Sequence, residues 1–528
     1  MKDLFFIILL NSIFILSCDN GSSSSNFDNC KNNPCKDSPV EHKTVCENKD
    51  DGFICICEDG YTLNNDTGLC IVEEVNPCKD NPCLDSPIPN KTVCEVVAND
   101  FKCVCESGYI ESDNTCKKLE ENSFHKTWTD NSYTENSGIS LTTDSNKNII
   151  VVGYQSSKME WDENLQKDIP STNDVTLRKY SSKGVLIWEK VWHEDAYKFP
   201  VGVVVDKNNN IFIAGETGGD EFRAFLMKVD ANGNEKWNRE WSCANGLLVW
   251  DLAIDNDDAL YITGRVYSNF SNTSKVGGIS DSFLIKAIDN GGSAKEKWIK
   301  QWGTEKMDEG KAITIRDNNI FVLTENNGDS DIENGDIKWD FNITKFDKSG
   351  TILSDTNWMK GQVDTYVVDF VIDTNNNYYI IGDAPNNFDG HTNSGENDIF
   401  IVKLDTTLNK VWSKLIGTTY YDTTNSITID SSNNIFIAGH SYGSFGSFTN
   451  PGEGVETDSI LIKFKNDSEI DWYKMYSSTN RLAGESISKI IIKNDNLIFT
   501  GVENADYIGD TQNIKSSGFL RKVLKSDF

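Results

Sequence analysis

The sequence predicts an all-β protein: a seven-bladed β-propeller of four-stranded blades, preceded by two small disulfide-rich modules. Three observations predict this. From about residue 125 the chain repeats itself seven times at a period near sixty residues. Twelve cysteines between Cys30 and Cys116 form two sets of six with matching spacing. Turns rich in Asn, Asp and Gly bound short apolar runs, and no helix-length pattern intervenes.

Composition narrows the function. Of 528 residues, 38% are hydrophobic and 25% charged, which rules out a disordered chain. Lys and Arg number 50 against 81 Asp and Glu, a net charge of −31. That surface repels phosphate backbones and anionic lipid, so no nucleic acid is expected as a partner, and a membrane only through a lipid anchor.

The amino terminus has the anatomy of an export signal. Lys2 opens it, and Leu4 to Leu16 is an apolar run broken by Asn11 and Ser12, too short for an ordinary spanning helix. It ends at Ile15-Leu16-Ser17-Cys18, which resembles the lipobox of bacterial lipoproteins. The resemblance implies cleavage after residue 17 and lipidation of Cys18. Residues 1–17 are then a signal peptide and 18–27, with Ser22 to Ser25, a flexible tether.

The first cysteine set is Cys30, Cys35, Cys46, Cys55, Cys57 and Cys70; the second is Cys78, Cys83, Cys94, Cys103, Cys105 and Cys116. Even, repeated sets in an exported segment read as disulfide frameworks, because modules of this size cannot hold themselves by a core. Spacing alone admits fifteen pairings per module. The runs Cys55-Ile56-Cys57-Glu58-Asp59-Gly60-Tyr61 and Cys103-Val104-Cys105-Glu106-Ser107-Gly108-Tyr109 resemble the EGF-like signature. That resemblance implies Cys30–Cys46, Cys35–Cys55 and Cys57–Cys70 in residues 28–71, and Cys78–Cys94, Cys83–Cys103 and Cys105–Cys116 in residues 72–117. Some EGF-like modules bind calcium, and Asn26, Asp28, Asn29 and Asn48 are the candidate ligands here. A non-binding spacer is the competing reading.

After a linker at 118–124 the propeller occupies 125–528. Each repeat has an anchor: a polar turn rich in Asp and Asn, an apolar strand, then usually Gly. Asp144 to Gly153, Asp206 to Gly215, Asp255 to Gly264, Asp317 to Thr324, Asp373 to Gly382, Asp430 to Gly439 and Asn494 to Gly501 are the seven copies. A second element reads Asp, apolar run, Lys, as in Asp281 to Lys286, Asp398 to Lys403 and Asp458 to Lys463. A third is centred on Trp: Trp188, Trp237, Trp298, Trp358, Trp412 and Trp472. The chain ends on the second element, and the missing Trp strand lies at the other end around Trp128, so the N-terminal strand should close the last blade and remove an open edge. The pattern resembles the bacterial repeat family labelled SBBP, most closely from Trp412 to Lys463. The resemblance implies a fold and an extracytoplasmic setting, but no reaction.

Catalytic signatures are few. The sequence holds no G-x-S-x-G, H-E-x-x-H or P-loop, and the Asp-x-Asn-x-Asn turns fit Asx-turn chemistry better than calcium loops. Trp is expected to pack between blades, and Cys243 to be an apolar filler. His391 and His440 lie in neighbouring loops. In an up-and-down blade the loops after each anchor Gly and after each Trp strand share one face, and the former are long in most blades. Asp195, Asp308, Asp364, Asp422 and Glu485 fall there, as an acidic mouth for a cation or a basic or polyhydroxylated ligand. The competing reading has them pin loop turns. The expected function is a surface-anchored, non-catalytic binding or adhesion lipoprotein with an unknown protein or glycan ligand and calcium as the one candidate cofactor. The alternative is an extracytoplasmic propeller enzyme acting on a glycan.

Overall fold

A computed structural model describes residues 31–38, 43–49, 52–59, 61–63, 69–72, 83, 86, 88, 91–97, 100–105, 109–112, 115–118, 123–130, 135–156, 159–162, 167–170, 173–193, 197–218, 221–270, 273, 277–327, 338–446, 448–450, 454, 456–465, 468–476, 484–494, 496–505 and 515–524. The chain divides into two compact units, Met1–Glu106 and Ser107–Phe528.

In the first unit, Val45–Lys49 pairs with Gly52–Ile56 and Val93–Val97 with Asp100–Val104, both antiparallel. Disulfides join Cys35 to Cys55, Cys57 to Cys70 and Cys83 to Cys103. These are three of the six pairs that the EGF-like resemblance implies. Cys46, Cys94 and Cys105 are disulfide-bonded as well. Cys18, Asn26, Asp28, Asn29, Cys30 and Cys78 lie outside the described residues. Cys116 lies in the strand Thr115–Lys118, and Asn48 faces Phe53 in the first hairpin. Cys35 and Cys83 are fully buried, so bridges stand where a larger domain would place its core.

The second unit holds seven four-stranded antiparallel sheets. Blade 1 is Glu135–Thr143, Ile149–Ser156, Asn173–Tyr180 and Leu186–Trp192. Blades 2 to 6 open on Tyr197–Val205, Leu247–Ile254, Asp308–Arg316, Tyr366–Ile372 and Asp422–Ile429. Blade 7 is Glu485–Lys493, Asn496–Ala505, Lys515–Leu524 and, as its fourth strand, Phe124–Trp128. Gly518 pairs with Trp128 and Lys522 with Phe124, so the N-terminal strand closes the ring as the sequence predicts. First strands of successive blades pack against one another all the way round, from blade 7 back to blade 1, and so surround the axis.

The core lies between blades. Seven apolar clusters fill the seven blade boundaries; one joins Ile150, Val152 and Leu177 of blade 1 to Ile213, Phe225 and Met227 of blade 2. The repeat elements explain themselves as latches across these boundaries. Trp188 Nε1 and Lys179 Nζ both donate to Ala231 O in the next blade, each at 3.2 Å. Trp298 Nε1 and Lys286 Nζ both donate to Lys348 O, at 3.3 and 2.7 Å.

The anchor turns at Asp144, Asp206, Asp255, Asp373 and Asp430 are Asx turns. Asp206 Oδ1 accepts from the backbone N–H of Asn208 and Asn210, and Oδ2 from Asn210 Nδ2, at 2.8, 2.8 and 2.7 Å. Asn209 takes φ 62°, a left-handed conformation that Asn tolerates. Its side chain accepts from Ser145 N of the preceding blade at 2.9 Å. Blade 4 departs from the repeat: Asp317 and Asn318 are both left-handed, forming a two-residue turn, so Asp317 does not play the part of Asp206.

Candidate functional site

Every first strand carries a β-bulge at one corresponding place. The register shifts fall between Gly138 and Ser140, Pro200 and Gly202, Val249 and Asp251, Gly310 and Ala312, Val367 and Asp369, Thr424 and Ser426, and Ile487 and Lys489. The extra residue is therefore Ile139, Val201, Trp250, Lys311, Val368, Asn425 or Ser488 in blades 1 to 7. A bulge turns a side chain out of the ladder, and these turn towards the axis. The anchor Gly exists because of this device. A Cβ on Gly382 would lie 2.0 Å from Tyr366 O, and one on Gly439 equally close to Thr423 O.

The seven bulge residues line one axial cavity of about 430 Å³, joined by Tyr197, Phe199, Leu248, Glu216, Asp251, Asp369 and Lys489 among others. That volume falls in the range of small-molecule sites, about 300–1,000 Å³. Its lining is unequal around the ring. Its aromatic residues, Trp250, Tyr197 and Phe199, come from blades 2 and 3, its lysines, Lys311 and Lys489, from blades 4 and 7, and its acids, Glu216, Asp251 and Asp369, from blades 2, 3 and 5. Trp250 is 38% exposed. Lys311 Nζ sits 4.2 Å from the Trp250 ring centroid and 3.6 Å from both Glu309 Oε2 and Glu325 Oε2.

Each cavity lysine stands against two carboxylates. Lys489 Nζ is 2.9 Å from Asp369 Oδ2. Burial works against the Lys489 charge, but Asp369 and Asp251 outweigh it and hold the ammonium above its ordinary range. Asp251 bonds Ile313 N and Leu252 N, each at 2.8 Å, and burial pushes its carboxyl up to about 6. Glu216 accepts from Val249 N at 2.9 Å and is pushed by burial up to about 7.

The acids singled out from the sequence lie elsewhere. Asp308, Asp422 and Glu485 each begin a first strand and are buried, one to a blade. Asp308 Oδ2 accepts from Thr304 N and Oγ1 at 2.7 and 3.1 Å; Asp422 Oδ2 does the same with Thr418 N and Oγ1, at 2.5 and 2.9 Å. Glu485 Oε1 stands 3.4 Å from Arg521 Nη1. Burial raises all three carboxyls, to about 6, 6 and 7. Asp364 takes φ 48° just before the blade 5 first strand, and Asp195 lies outside the described residues. Asp308 and Asp422 bond the loop four residues back, Glu485 faces the third strand of its own blade, and none of these described acids lines the axial cavity.

His391 Nε2 meets Ser413 Oγ at 3.2 Å, whereas His440 Nδ1 meets Ser486 Oγ at 2.9 Å, so the two histidines serve different contacts. Among the described residues no group of three His, Cys, Asp or Glu side chains is arranged for a metal. Cys243 Sγ donates to Gly246 O at 3.0 Å, and burial pushes its thiol up, the opposite of an activated nucleophile. Residues 250, 311, 425 and 488 escape sequence reading because a bulge has no residue-type signature. The one trace is a polar residue behind an apolar pair, as in Val249-Trp250-Asp251 and Val367-Val368-Asp369.

Comparison with known proteins agrees with this repeat. Residues 194–223 and 411–446 match the SBBP β-propeller repeat. The chain is also similar to regulatory protein FlaEY of Caulobacter vibrioides, 23% identical over 212 residues, which are 35% of this chain and 22% of that protein. The chain thus spans about a fifth of that relative's length. Among solved structures it is similar to an ulvan lyase of a new polysaccharide lyase family, with TM-score 0.45 and 11% identity over 74% of this chain and 95% of that one. The β-propeller domain of the Trilobed protease from Pyrococcus furiosus gives TM-score 0.38 and 10% identity over 70% and 91% of the two chains. Puromycin hydrolase gives 0.43 and 10% over 70% and 52%. Likenesses this distant carry no function across.

Proposed function

We propose that this chain is a surface-anchored, non-catalytic binding protein: a lipid on Cys18, a stalk of two EGF-like modules, and a propeller head that holds its ligand in the axial cavity. One observation carries the reading. All seven blades spend a bulge on turning a side chain into a single cavity, and that cavity is lined by an exposed tryptophan and by lysines already held by carboxylates. Rigid scaffolds that converge on one polar and aromatic cavity are the usual form of a binding site.

The full-length chain should give ligand-dependent thermal stabilisation in a screen of small molecules and glycans, and Trp250→Ala should abolish it without lowering the unliganded melting temperature. A screen with no Trp250-dependent hit would contradict the reading. For the anchor, Cys18→Ala should move the protein from the detergent to the aqueous phase. A glycan-acting enzyme would draw on Asp251 and Glu216, the two cavity acids that burial raises towards neutrality. Turnover that Asp251→Asn abolishes while binding persists would favour that reading instead.

A further inference from the structure

On the reading of the axial cavity as a ligand site, we propose that its ligand is a neutral polyhydroxylated ring, a sugar unit. It would seat one face on the aromatic arc of Trp250, Tyr197 and Phe199 and turn its hydroxyls to Asn425, Ser488 and the Asp369–Lys489 pair.

The charge arrangement decides between ligand classes. An anion finds both lysines that line the cavity among the described residues already engaged: Lys489 is paired with Asp369, and Lys311 lies between Trp250 and the two glutamates. It would also meet Asp251 and Glu216 in the lining, within a chain of net charge −31. A cation meets the opposite obstacle, because Lys311 already holds an ammonium over the Trp250 ring and Lys489 adds a second positive charge. A hydroxyl can donate to a carboxylate and accept from an ammonium at once, so compensated ion pairs suit it without any countercharge. Asn425 adds selectivity. Its Nδ2 is engaged with Ile487 O at 2.7 Å, which fixes the amide and leaves Oδ1 as an acceptor.

The apolar arc supplies the other half. A sugar ring presents weakly electropositive C–H groups on one face, and the π face of an indole attracts such groups as it attracts a cation. Lys311 over Trp250 shows that the ring attracts positive potential on the face it covers, and the sugar takes the opposite face. Tyr197 and Phe199 are stacked, 6.3 Å apart with planes 6° from parallel, and extend the platform. Trp250, Tyr197 and Phe199 of blades 2 and 3 offer the ring a face, while Asp369, Asn425, Ser488 and Lys489 of blades 5 to 7 offer its hydroxyls partners, to which Ser140, Glu216 and Asp251 of blades 1 to 3 add.

The test is calorimetric titration of the full chain with three probe sets: neutral hexose oligosaccharides, their uronic-acid and sulfated counterparts, and choline. A neutral oligosaccharide should bind, with its charged counterparts and choline weaker by about tenfold or more. Trp250→Ala and Asn425→Ala should each weaken it by about tenfold, and Trp250→Phe should restore most of the loss. Preference for a charged probe whose binding still requires Trp250 overturns this assignment and leaves the cavity a ligand site. If no probe from any set shows Trp250-dependent binding, the assignment and the binding reading both fall.

Discussion

Glu216 Oε1 accepts a hydrogen bond from the backbone N–H of Val249, 2.9 Å away across the boundary between blades 2 and 3. The bond repeats where Glu325 receives Val367 N at 2.6 Å and Asp383 receives Thr424 N at 2.9 Å. In each case the acid sits one residue after the anchor position. In all three the N–H belongs to the residue just before the next blade's bulge: Val249, Val367 and Thr424. The bulge frees that N–H from its ladder, and the neighbouring acid satisfies it.

Removing such an acceptor strands a buried donor. Glu325→Ala should cost about 1–3 kcal/mol in denaturant unfolding, and Glu325→Gln, which keeps an acceptor, much less. Equal losses in the two variants would mean that the bond to Val367 does not matter.

These acids also set a pH dependence. Burial pushes Asp383 up to about 8 and Glu325 up to about 7, so the folded state holds protons that the unfolded chain releases near pH 4. The folded state then binds more protons between those limits, and stability falls as pH rises. The melting temperature should decline from pH 5 to pH 8, and Asp383→Asn should flatten the decline. A melting temperature that rises over that window in the unmodified chain would refute the argument.

The anchor glycines answer to space rather than to turn geometry. Gly382→Ala would place a Cβ 2.0 Å from Tyr366 O and 2.6 Å from the Phe400 ring. Overpacking of this kind should cost about 1–3 kcal/mol or more. Gly361→Ala is the contrasting variant: its Cβ would meet nothing within 4 Å, and its penalty should come only from φ 64°. If both variants melted alike, the bulge carbonyl would not be what excludes a side chain.

How much of this was legible beforehand depended on which residues repeat in kind. The anchor strands, the Asp-apolar-Lys run, the Trp strand and the closure at Trp128 each recur as residue types, so the propeller could be read directly. Asp206 and Asp373 announced their turns because Asx chemistry needs an Asp followed by Asn. The cavity did not announce itself: Ile139, Trp250, Lys311 and Asn425 share a backbone position and no chemistry, and register is invisible until strands are paired. Asp308 and Asp422 stood out as acids at loop ends. Their hydrogen bonds to Thr304 and Thr418, four residues back, show what that spacing serves.

The Asx turns give a further expectation. Asp373 Oδ1 takes the N–H groups of Asn375 and Asn377, and Oδ2 takes Asn377 Nδ2, each at 2.8 Å, so its oxygens are occupied by donors. A chelator should leave the propeller's melting temperature unchanged, while Asp373→Ala should lower stability by about 1–2 kcal/mol. Loss of the propeller transition in chelator would point to a cation at these turns.

Amide hydrogen exchange of the full chain, with and without a ligand retained from the screen, tests the axial site most directly. The account requires protection in the first-strand segments carrying Ile139, Val201, Trp250, Lys311, Val368, Asn425 and Ser488. Protection confined to the loops at 383–397 and 440–457, with those seven segments unchanged, would contradict it.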